Sequence, residues 1–344
     1  MSIAANAVPA GRWIDGLSAD LPLPDALEVI FRQRWYGVLY YLPLAAAGAE
    51  EHVENVHKLR VSSRRLAAVL DVLADGFPAE PRKVLFRLVE RIRRSCGKAR
   101  DLDVRRQFLE SLLPHASVED AGAIELLCEQ AVERRSEVQK KLRRRLPRLE
   151  RKLIRSGNEM LAALTSNQRR AEADDPSFGA VGVSALLRET SALWSRAEDD
   201  LESAATLHEL RIACKHLRYA FEIFMPMLDD SFSHDFYPQL EHLQDLLGEM
   251  HDAAQATRSV RRRRRKWKRR WKDRGPDLGG RSALRWRELR SGFNAVLLAY
   301  AQQADQARVE FLDLWPGFAG ESFRVPVEEM LMQRAGSLSS GEAP

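Results

Sequence analysis

The sequence contains little cysteine and no long apolar run, and both shortages narrow the class of protein. Its three cysteines, Cys96, Cys128 and Cys214, are far apart, so neither a disulfide framework nor a closely spaced zinc site is expected. A reducing compartment, the cytoplasm, is therefore expected. No apolar run approaches the ~20 residues that a membrane-spanning helix needs. Residues 1–12 also lack the basic start and apolar stretch of a cleaved signal peptide, so we expect none.

Runs that alternate apolar and polar residues, which are typical of strands, are missing as well. Leucines instead recur at intervals of three and four, as at Leu142, Leu146, Leu149 and Leu153. This is the spacing of one face of a helix. Hydrophobic residues make up 45% of the 344 residues, enough to bury a sizeable core. The sequence therefore predicts an all-α protein.

Positive charge is concentrated in two segments, although the net charge is only +5. Residues 134–155 contain eleven Lys or Arg against two acidic residues, and residues 258–274 contain twelve against one. Such segments attract polyanions such as nucleic acid, anionic lipid or a phosphate-rich molecule. Arg144 and Arg148, in the first segment, are secondary candidates for contact with such a ligand.

A motif occurs twice in the chain, 151 residues apart (208 − 57). The two copies read His57-Lys-Leu-Arg60-Val-Ser-Ser-Arg64-Arg65-Leu66 and His208-Glu-Leu-Arg211-Ile-Ala-Cys-Lys215-His216-Leu217. A weaker match at the same offset pairs Gly97 with Gly248 and Asp101 with Asp252. We therefore predict two copies of one helical unit. The expected divisions are a lead-in (1–22), a first helical-bundle repeat (23–165), a linker (166–180), a second repeat (181–318) and a flexible tail (319–344).

Each copy of the motif places basic and apolar residues on opposite faces of one helix, at about 100° per residue. The basic faces contain His57, Arg60 and Arg64 in the first copy, and His208, Arg211, Lys215, Arg218 and Tyr219 in the second. A single face of this kind is most simply a solvated surface, with Arg218 and Glu222 as a surface ion pair. The recurrence of His and Arg at matching positions instead favours a ladder of cations that binds several phosphates.

The doubled motif resembles the CHAD family, the conserved histidine α-helical domain, over about residues 23–318. Later elements of the family pattern are Gly97-Lys-Ala-Arg100-Asp101-Leu-Asp103 and Leu247-Gly248-Glu-Met-His251-Asp252, each a small-residue turn before a helix start. The resemblance implies two tandem pseudo-symmetric antiparallel four-helix bundles with a basic central cavity. It also implies binding of inorganic polyphosphate, with no established catalysis. The chain departs from the family at Ala67 and His216, where Arg is common, so the charge at position 216 varies with pH.

A triphosphate-tunnel domain, often fused to members of this family, has the hallmark Glu-x-Glu-x-Lys. That motif is absent from the sequence, so a stand-alone module is expected. The expected polyphosphate-binding residues are His57, Arg60, Arg64, Arg65, His208, Arg211, Lys215 and Arg218. The secondary candidates are Arg100, Arg144, Arg148, His216 and Tyr219.

No catalytic residue, metal site or cofactor is expected. His208-Glu209 begins like a zinc-protease helix, but Ile212 stands where the second His would be. Asp101 and Asp252 are expected to cap helix starts or to pair with a buried Arg.

Two other functions remain as alternatives to polyphosphate binding. A metal-dependent polyphosphatase or triphosphatase needs clustered carboxylates for Mg²⁺, and these are scarce. A nucleic-acid binder, or a protein that contacts an anionic surface, would use residues 258–274. There Trp267 and Trp271 share one helix face among cations, where they either stack on a ligand or dock onto the bundle. The sequence leaves open the oligomeric state and any association with polyphosphate or other storage granules.

Overall fold

The fold, taken from a computed structural model, consists mostly of helices in the part of the chain that the structure describes. The structure describes residues 11–48, 53–168, 175–196, 200–274 and 286–340, and their side chains except at 270–274, 287, 288, 322 and 338–340. The helices are α1 (Leu23–Ala47), α2 (Val53–Val72), α3 (Ala79–Leu112), α4 (Val118–Gln168), α5 (Phe178–Trp194), α6 (Ala204–Phe224), α7 (Tyr237–Arg274), α8 (Trp286–Ala319) and α9 (Glu321–Ser340). Within these ranges there is no strand, so the all-α prediction is confirmed.

The basic segment 134–155 lies within α4, a helix of 51 residues. Leu142 and Leu146 are buried there, at 2% and 0% exposed, while Arg144 and Arg148 are exposed. The helix is therefore amphipathic, as the leucine spacing predicts. No helix in the described part of the chain is both long enough and apolar enough to cross a membrane.

The chain divides into two compact units that do not follow sequence order. The first unit comprises Met1–Gly97, Gln139–Gln244 and Leu314–Pro344, and the second comprises Lys98–Val138 and Asp245–Asp313. Four helices, α3, α4, α7 and α8, each contribute residues to both units. The units thus differ from the two repeats inferred from the sequence, and the repeat boundaries stay a prediction.

The first unit is organised around α1, α2, α5 and α6. In this unit α1 packs against α2, α5 against α6, and α2 against α6. Trp35 on α1 is 1% exposed and lies against α4 at Gly157. A Cβ atom at position 157 would lie 2.1 Å from the Trp35 indole, so only glycine permits this close approach.

Residues 321–340, within the tail 319–344 that the sequence predicts to be flexible, form the helix α9; the domain boundaries stay a prediction. Val327 and Leu331 are buried, and α9 packs against α5. Phe323 stacks on Phe236, with ring centroids 5.5 Å apart. Burial of these apolar side chains stabilises a helix that its own sequence, with Pro326 inside, does not favour.

The second unit has its own hydrophobic core, drawn from α3, α4, α7 and α8. The core residues are Leu109, Ala123, Ile124, Leu127, Ala253, Ala256, Val260, Leu289, Phe293, Val296 and Tyr300. Phe108 stacks on Tyr300 with ring centroids 4.1 Å apart, which joins α3 to α8.

Candidate functional site on helices α2 and α6

The two motif copies lie on α2 and α6, which pack against each other within the first unit. The first motif copy lies within α2 (Val53–Val72) and the second within α6 (Ala204–Phe224). Ser203 begins α6, because its hydroxyl accepts hydrogen bonds from the backbone N–H groups of Ala205 and Thr206. Equivalent helices of the two copies are therefore neighbours in the fold.

The predicted apolar faces are the buried faces of both helices. Leu59 and Leu66 on α2, and Leu210 and Leu217 on α6, are all 0% exposed. The predicted basic residues Arg60, Arg64, Arg211, Lys215 and Arg218 are half-buried. These cations are thus partly removed from water, although long basic side chains usually extend into it.

Tyr219 joins the two helices through its aromatic ring, which is only 5% exposed. The Arg64 guanidinium of α2 lies 5.5 Å from the ring centroid, and the Arg218 guanidinium of α6 lies 5.2 Å from it. Both distances fall in the range of cation–π attraction. Tyr219 therefore positions two arginines, one from each motif helix.

Six cations form a group that we call the motif cluster: Arg60, Arg64, Arg93, Arg211, Lys215 and Arg218. Burial, together with the positive charges of Arg64, Arg93 and Arg211, lowers the pKa of Lys215. Burial and the charges of Arg218, Arg60 and Arg93 likewise lower the pKa of Arg64. At Arg64 and Lys215 the folded protein therefore holds positive charge at a cost, whereas Arg93 pairs with Glu90 at 2.8 Å and Arg218 pairs with Glu241.

Arg65 has different surroundings from the motif cluster, although it follows Arg64 in the sequence. Its Nε donates to Oε2 of Glu222 over 2.6 Å, and Glu222 is only 2% exposed. The Tyr237 hydroxyl donates to the other carboxylate oxygen over 3.0 Å. A surface ion pair between Glu222 and Arg218 is therefore the wrong interpretation, because Arg218 pairs with Glu241 at 3.2 Å.

Two residues of α3, Arg93 and Gly97, belong to this site and were missed as site residues from the sequence. The charge of Arg93 acts on both Arg64 and Lys215. A Cβ atom at Gly97 would lie 3.2 Å from Nη1 of Arg60, so the glycine leaves space for that guanidinium. The pairing of Gly97 with Gly248 at the motif offset was the available signal.

The histidines of the motifs differ in exposure. His57 is half-buried, one helical turn before Arg60, whereas His208 is exposed near the start of α6. Burial and the charge of Lys215 lower the pKa of His216. Among the described residues, no three His, Cys, Asp or Glu side chains come together as a group that could hold one metal ion.

The remaining predicted residues are not among the six cations of the motif cluster. Arg144 and Arg148 are exposed on α4 of the first unit. Arg100 belongs to the second unit, where its charge acts on Asp103. Asp101 and Asp252 lie inside α3 and α7, so their assignment as helix caps is wrong. The helix α3 continues through Gly97, and no turn forms there.

Asp103 on α3 forms a buried ion pair with Arg135 on α4. Its Oδ1 accepts from Nε of Arg135 over 2.8 Å, with the two side chains 8% and 17% exposed. Burial raises the pKa of Asp103, while Arg135 opposes that rise. This pair joins α3 to α4 within the second unit.

The basic segment 258–274 forms the last part of α7. Arg258, Arg261, Arg265 and Lys268 are exposed there. Trp267 is half-buried and packs against the core of the second unit. Of the two roles considered for this side chain, stacking on a ligand or docking onto the bundle, the packing fits docking. The side chain of Trp271 lies outside the described residues.

Comparisons with known proteins agree with the doubled motif. The CHAD domain family matches residues 30–261, more than half of the sequence. The chain therefore belongs to the CHAD domain family. The search of curated proteins found no match.

Two solved structures share the fold. One is the crystal structure of the CHAD domain from the plant Ricinus communis, with 22% identity and a TM-score of 0.67; the match covers 89% of this chain and 97% of that one. The other is PptA from Streptomyces chartreusis, with 16% identity and a TM-score of 0.60, covering 86% of this chain and 99% of that one. At these identities the likeness concerns the fold alone.

Proposed function

We propose that the protein binds inorganic polyphosphate, or a similar linear phosphate polyanion, through the motif cluster, and that it does not catalyse a reaction on it. The observation that carries this proposal is the convergence of six cations from α2, α3 and α6 on one site. A linear polyanion carries negative charge on every phosphate unit. It can therefore offset the repulsion between the cations along the whole motif cluster. Arginine suits the task because its guanidinium donates two parallel hydrogen bonds to phosphate oxygens.

The site that we propose differs from the sequence prediction at three positions. Arg93 joins the ligand-binding cations, while Arg65 and Tyr219 position other residues. Arg65 is engaged by buried Glu222, and Tyr219 lies beneath Arg64 and Arg218. His57 and His208 remain proposed hydrogen-bond donors at one end of each ladder. From the first to the eighth motif position a ladder extends ~10 Å, room for several phosphates.

The finer architecture is part of the same proposal. We infer two pseudo-symmetric antiparallel four-helix bundles with a basic cavity. The packing of α2 against α6, the equivalent helices of the two repeats, supports the pseudo-symmetry. The few scattered cysteines support a location in the cytoplasm, where association with polyphosphate granules would follow from binding.

Binding is expected to take up protons, because a bound polyanion raises the pKa of nearby cationic groups. The pKa values of Lys215 and His216 are lowered in the folded protein, chiefly by burial. Phosphate oxygens beside them favour the charged forms. Affinity should therefore fall as pH rises through the range in which His216 loses its proton.

The test is calorimetric titration with long-chain polyphosphate at two salt concentrations, on the wild type and on Arg60→Ala/Arg211→Ala. The double variant should lose at least ~100-fold in affinity, since each charge-assisted hydrogen bond contributes roughly 1.5–3 kcal/mol. Arg87→Ala/Arg91→Ala removes the same charge from exposed positions of α3 and should lose far less. Affinity should fall steeply with salt, as for other linear polyanions.

Duplex DNA and a phosphate-release assay address the two alternative functions. Equal affinity for DNA, unaffected by Arg60→Ala/Arg211→Ala, would reject the motif cluster and favour the exposed cations of residues 258–274. Magnesium-dependent release of phosphate from polyphosphate would reject the non-catalytic part of the proposal. We expect neither result.

A further inference from the structure

The second unit contains a separate group of cations that the doubled motif does not include. Burial and the charges of two arginines, Arg105 on α3 and Arg134 on α4, lower the pKa of Arg263 on α7. The charges of Arg105 and Arg263 also act on the pKa of Tyr300 on α8. None of these residues belongs to the motif cluster, and all lie within Lys98–Val138 or Asp245–Asp313. Four helices thus contribute to one polar site beside the core of that unit.

The three residues Arg105, Arg263 and Tyr300 each carry a buried donor atom. These atoms are Nε of Arg105, Nη2 of Arg263 and the hydroxyl of Tyr300, and none has a hydrogen-bond partner in the part of the chain that the structure describes. The other terminal nitrogen of Arg263, Nη1, donates to Oε1 of Gln130 over 3.1 Å. Buried donors are usually satisfied in folded proteins. Other buried donors of the described chain, such as Nε1 of Trp35 and Nε1 of Trp194, also lack a partner, but these three belong to residues that interact electrostatically with one another.

The electrostatics of the site favour an anion. Burial and the charges of Arg105, Arg134 and Arg262 lower the pKa of Arg263 to about 10. Burial raises the pKa of Tyr300 to about 12, although Arg105 and Arg263 act in the opposite direction. Tyr300 is therefore a neutral hydroxyl donor at neutral pH, and Arg263 stays charged.

A pocket of about 310 Å³ opens beside Arg263. Its walls are Gln130, Glu133, Arg134, Glu137, Arg263, Lys266 and Trp267. Trp267 forms a fixed wall because it packs against the core of the unit. The two glutamates are exposed and line the pocket. Of the three donor residues, Arg263 is a wall of the pocket, and Arg105 and Tyr300 interact electrostatically with Arg263.

We propose that the second unit binds a single phosphate group, held by Arg105, Arg263 and Tyr300 and reached through this pocket. A tetrahedral phosphate accepts hydrogen bonds on every oxygen, so it can satisfy all three donors at once. Its charge offsets the repulsion between the arginines. The group comes either from free inorganic phosphate or from the end of a phosphate chain.

The test uses the Arg60→Ala/Arg211→Ala protein, so that the motif cluster does not contribute. Inorganic phosphate and tripolyphosphate are titrated separately at constant ionic strength, with binding followed by calorimetry and by the NMR signals of the arginine Nε–H groups. We expect saturable binding that shifts the Arg105 and Arg263 signals. A higher affinity for tripolyphosphate assigns the site to chain ends, and equal or lower affinity assigns it to free phosphate.

Three substitutions separate a ligand site from a structural role. Arg263→Gln should weaken phosphate binding at least tenfold and yet raise the melting temperature in phosphate-free buffer, since it removes one of several crowded charges. Tyr300→Phe removes only a hydroxyl and should weaken binding severalfold. Arg261→Gln, an exposed neighbour on α7, is the matched control and should leave binding unchanged.

The proposal is overturned if inorganic phosphate and tripolyphosphate both fail to bind saturably, or if Arg261→Gln weakens binding as much as Arg263→Gln. A purely structural Arg263, needed only for its bond to Gln130, would instead lower the melting temperature equally with and without phosphate when replaced. Should Arg263→Gln fail to fold, Tyr300→Phe decides between the outcomes. Loss of polyphosphate binding to the motif cluster, with phosphate binding retained here, would show that the two sites are independent.

Discussion

Arg64 and Arg65 are neighbours in the sequence, but the fold gives them opposite surroundings. Arg64 lies among other cations and over the Tyr219 ring, whereas Arg65 is neutralised by buried Glu222. The spacing of the motif predicts which helix face is basic, because that depends only on the 3.6-residue period. It does not predict which arginine has a counter-ion, because Glu222 reaches Arg65 only when α2 packs against α6.

Replacement of Glu222 should strongly destabilise the protein. Glu222→Ala leaves the partly buried Arg65 guanidinium and the Tyr237 hydroxyl without their acceptor, so the free energy of unfolding should fall by roughly 3–5 kcal/mol. Urea denaturation measures this loss. Glu110→Ala breaks an exposed pair with Arg106 and should cost about 0–1 kcal/mol. Similar losses in the two variants would contradict the buried role of Glu222.

His216 should make the protein less stable in mild acid. Its pKa in the folded protein is lowered from the usual 6.5, mainly by burial. Between the lowered value and 6.5 the unfolded chain binds more protons, so the free energy of unfolding rises with pH in that range. His216→Gln should reduce this rise, measured by urea denaturation at pH 5 and pH 7.5. His115→Gln, at an exposed position, should leave the rise unchanged.

At the scale of helices, the amphipathic pattern predicts the type of secondary structure. It does not predict to which compact unit each part of a helix belongs. The leucine spacing predicts α4 correctly, since periodicity is a local property. That α4 serves both units, or that α3 continues through Gly97, depends on contacts distant in the sequence. The same reason hid α9, whose Val327 and Leu331 are buried only against the rest of the first unit.

The approach of α1 to α4 depends on Gly157, and this gives a prediction for the helix pair. Gly157→Ala forces a methyl group against the buried Trp35 indole, so it should destabilise the protein by about 1–3 kcal/mol despite the better helix propensity of alanine. Gly317→Ala lies in α8 with open space around it and should stabilise by roughly 0.5–1 kcal/mol. In thermal denaturation we expect the melting temperature to fall for Gly157→Ala and to rise for Gly317→Ala. A higher melting temperature for both variants would contradict the close packing at Trp35.

For the whole molecule, salt should act in two opposite directions. Screening of the repulsion in the motif cluster should raise the melting temperature in sodium chloride alone. Polyphosphate at a fixed concentration, one hundred times its dissociation constant at low salt, should add about 2.7 kcal/mol of stability at low salt, and added salt should diminish that addition. Differential scanning calorimetry across salt concentrations checks both effects. In Arg60→Ala/Arg211→Ala the addition should disappear, while a constant addition at every salt concentration would argue against an electrostatic site.

The crowding of positive charge on α2, α3 and α6 also bears on how long the protein survives in a cell. Proteases cleave the unfolded chain, so the rate of degradation follows the small fraction that is unfolded at any moment. The charges that lower the pKa values of Arg64 and Lys215 increase that fraction when no anion is present. A bound polyanion reverses the effect. The amount of this protein should therefore follow the supply of its ligand through turnover, without any change in its synthesis.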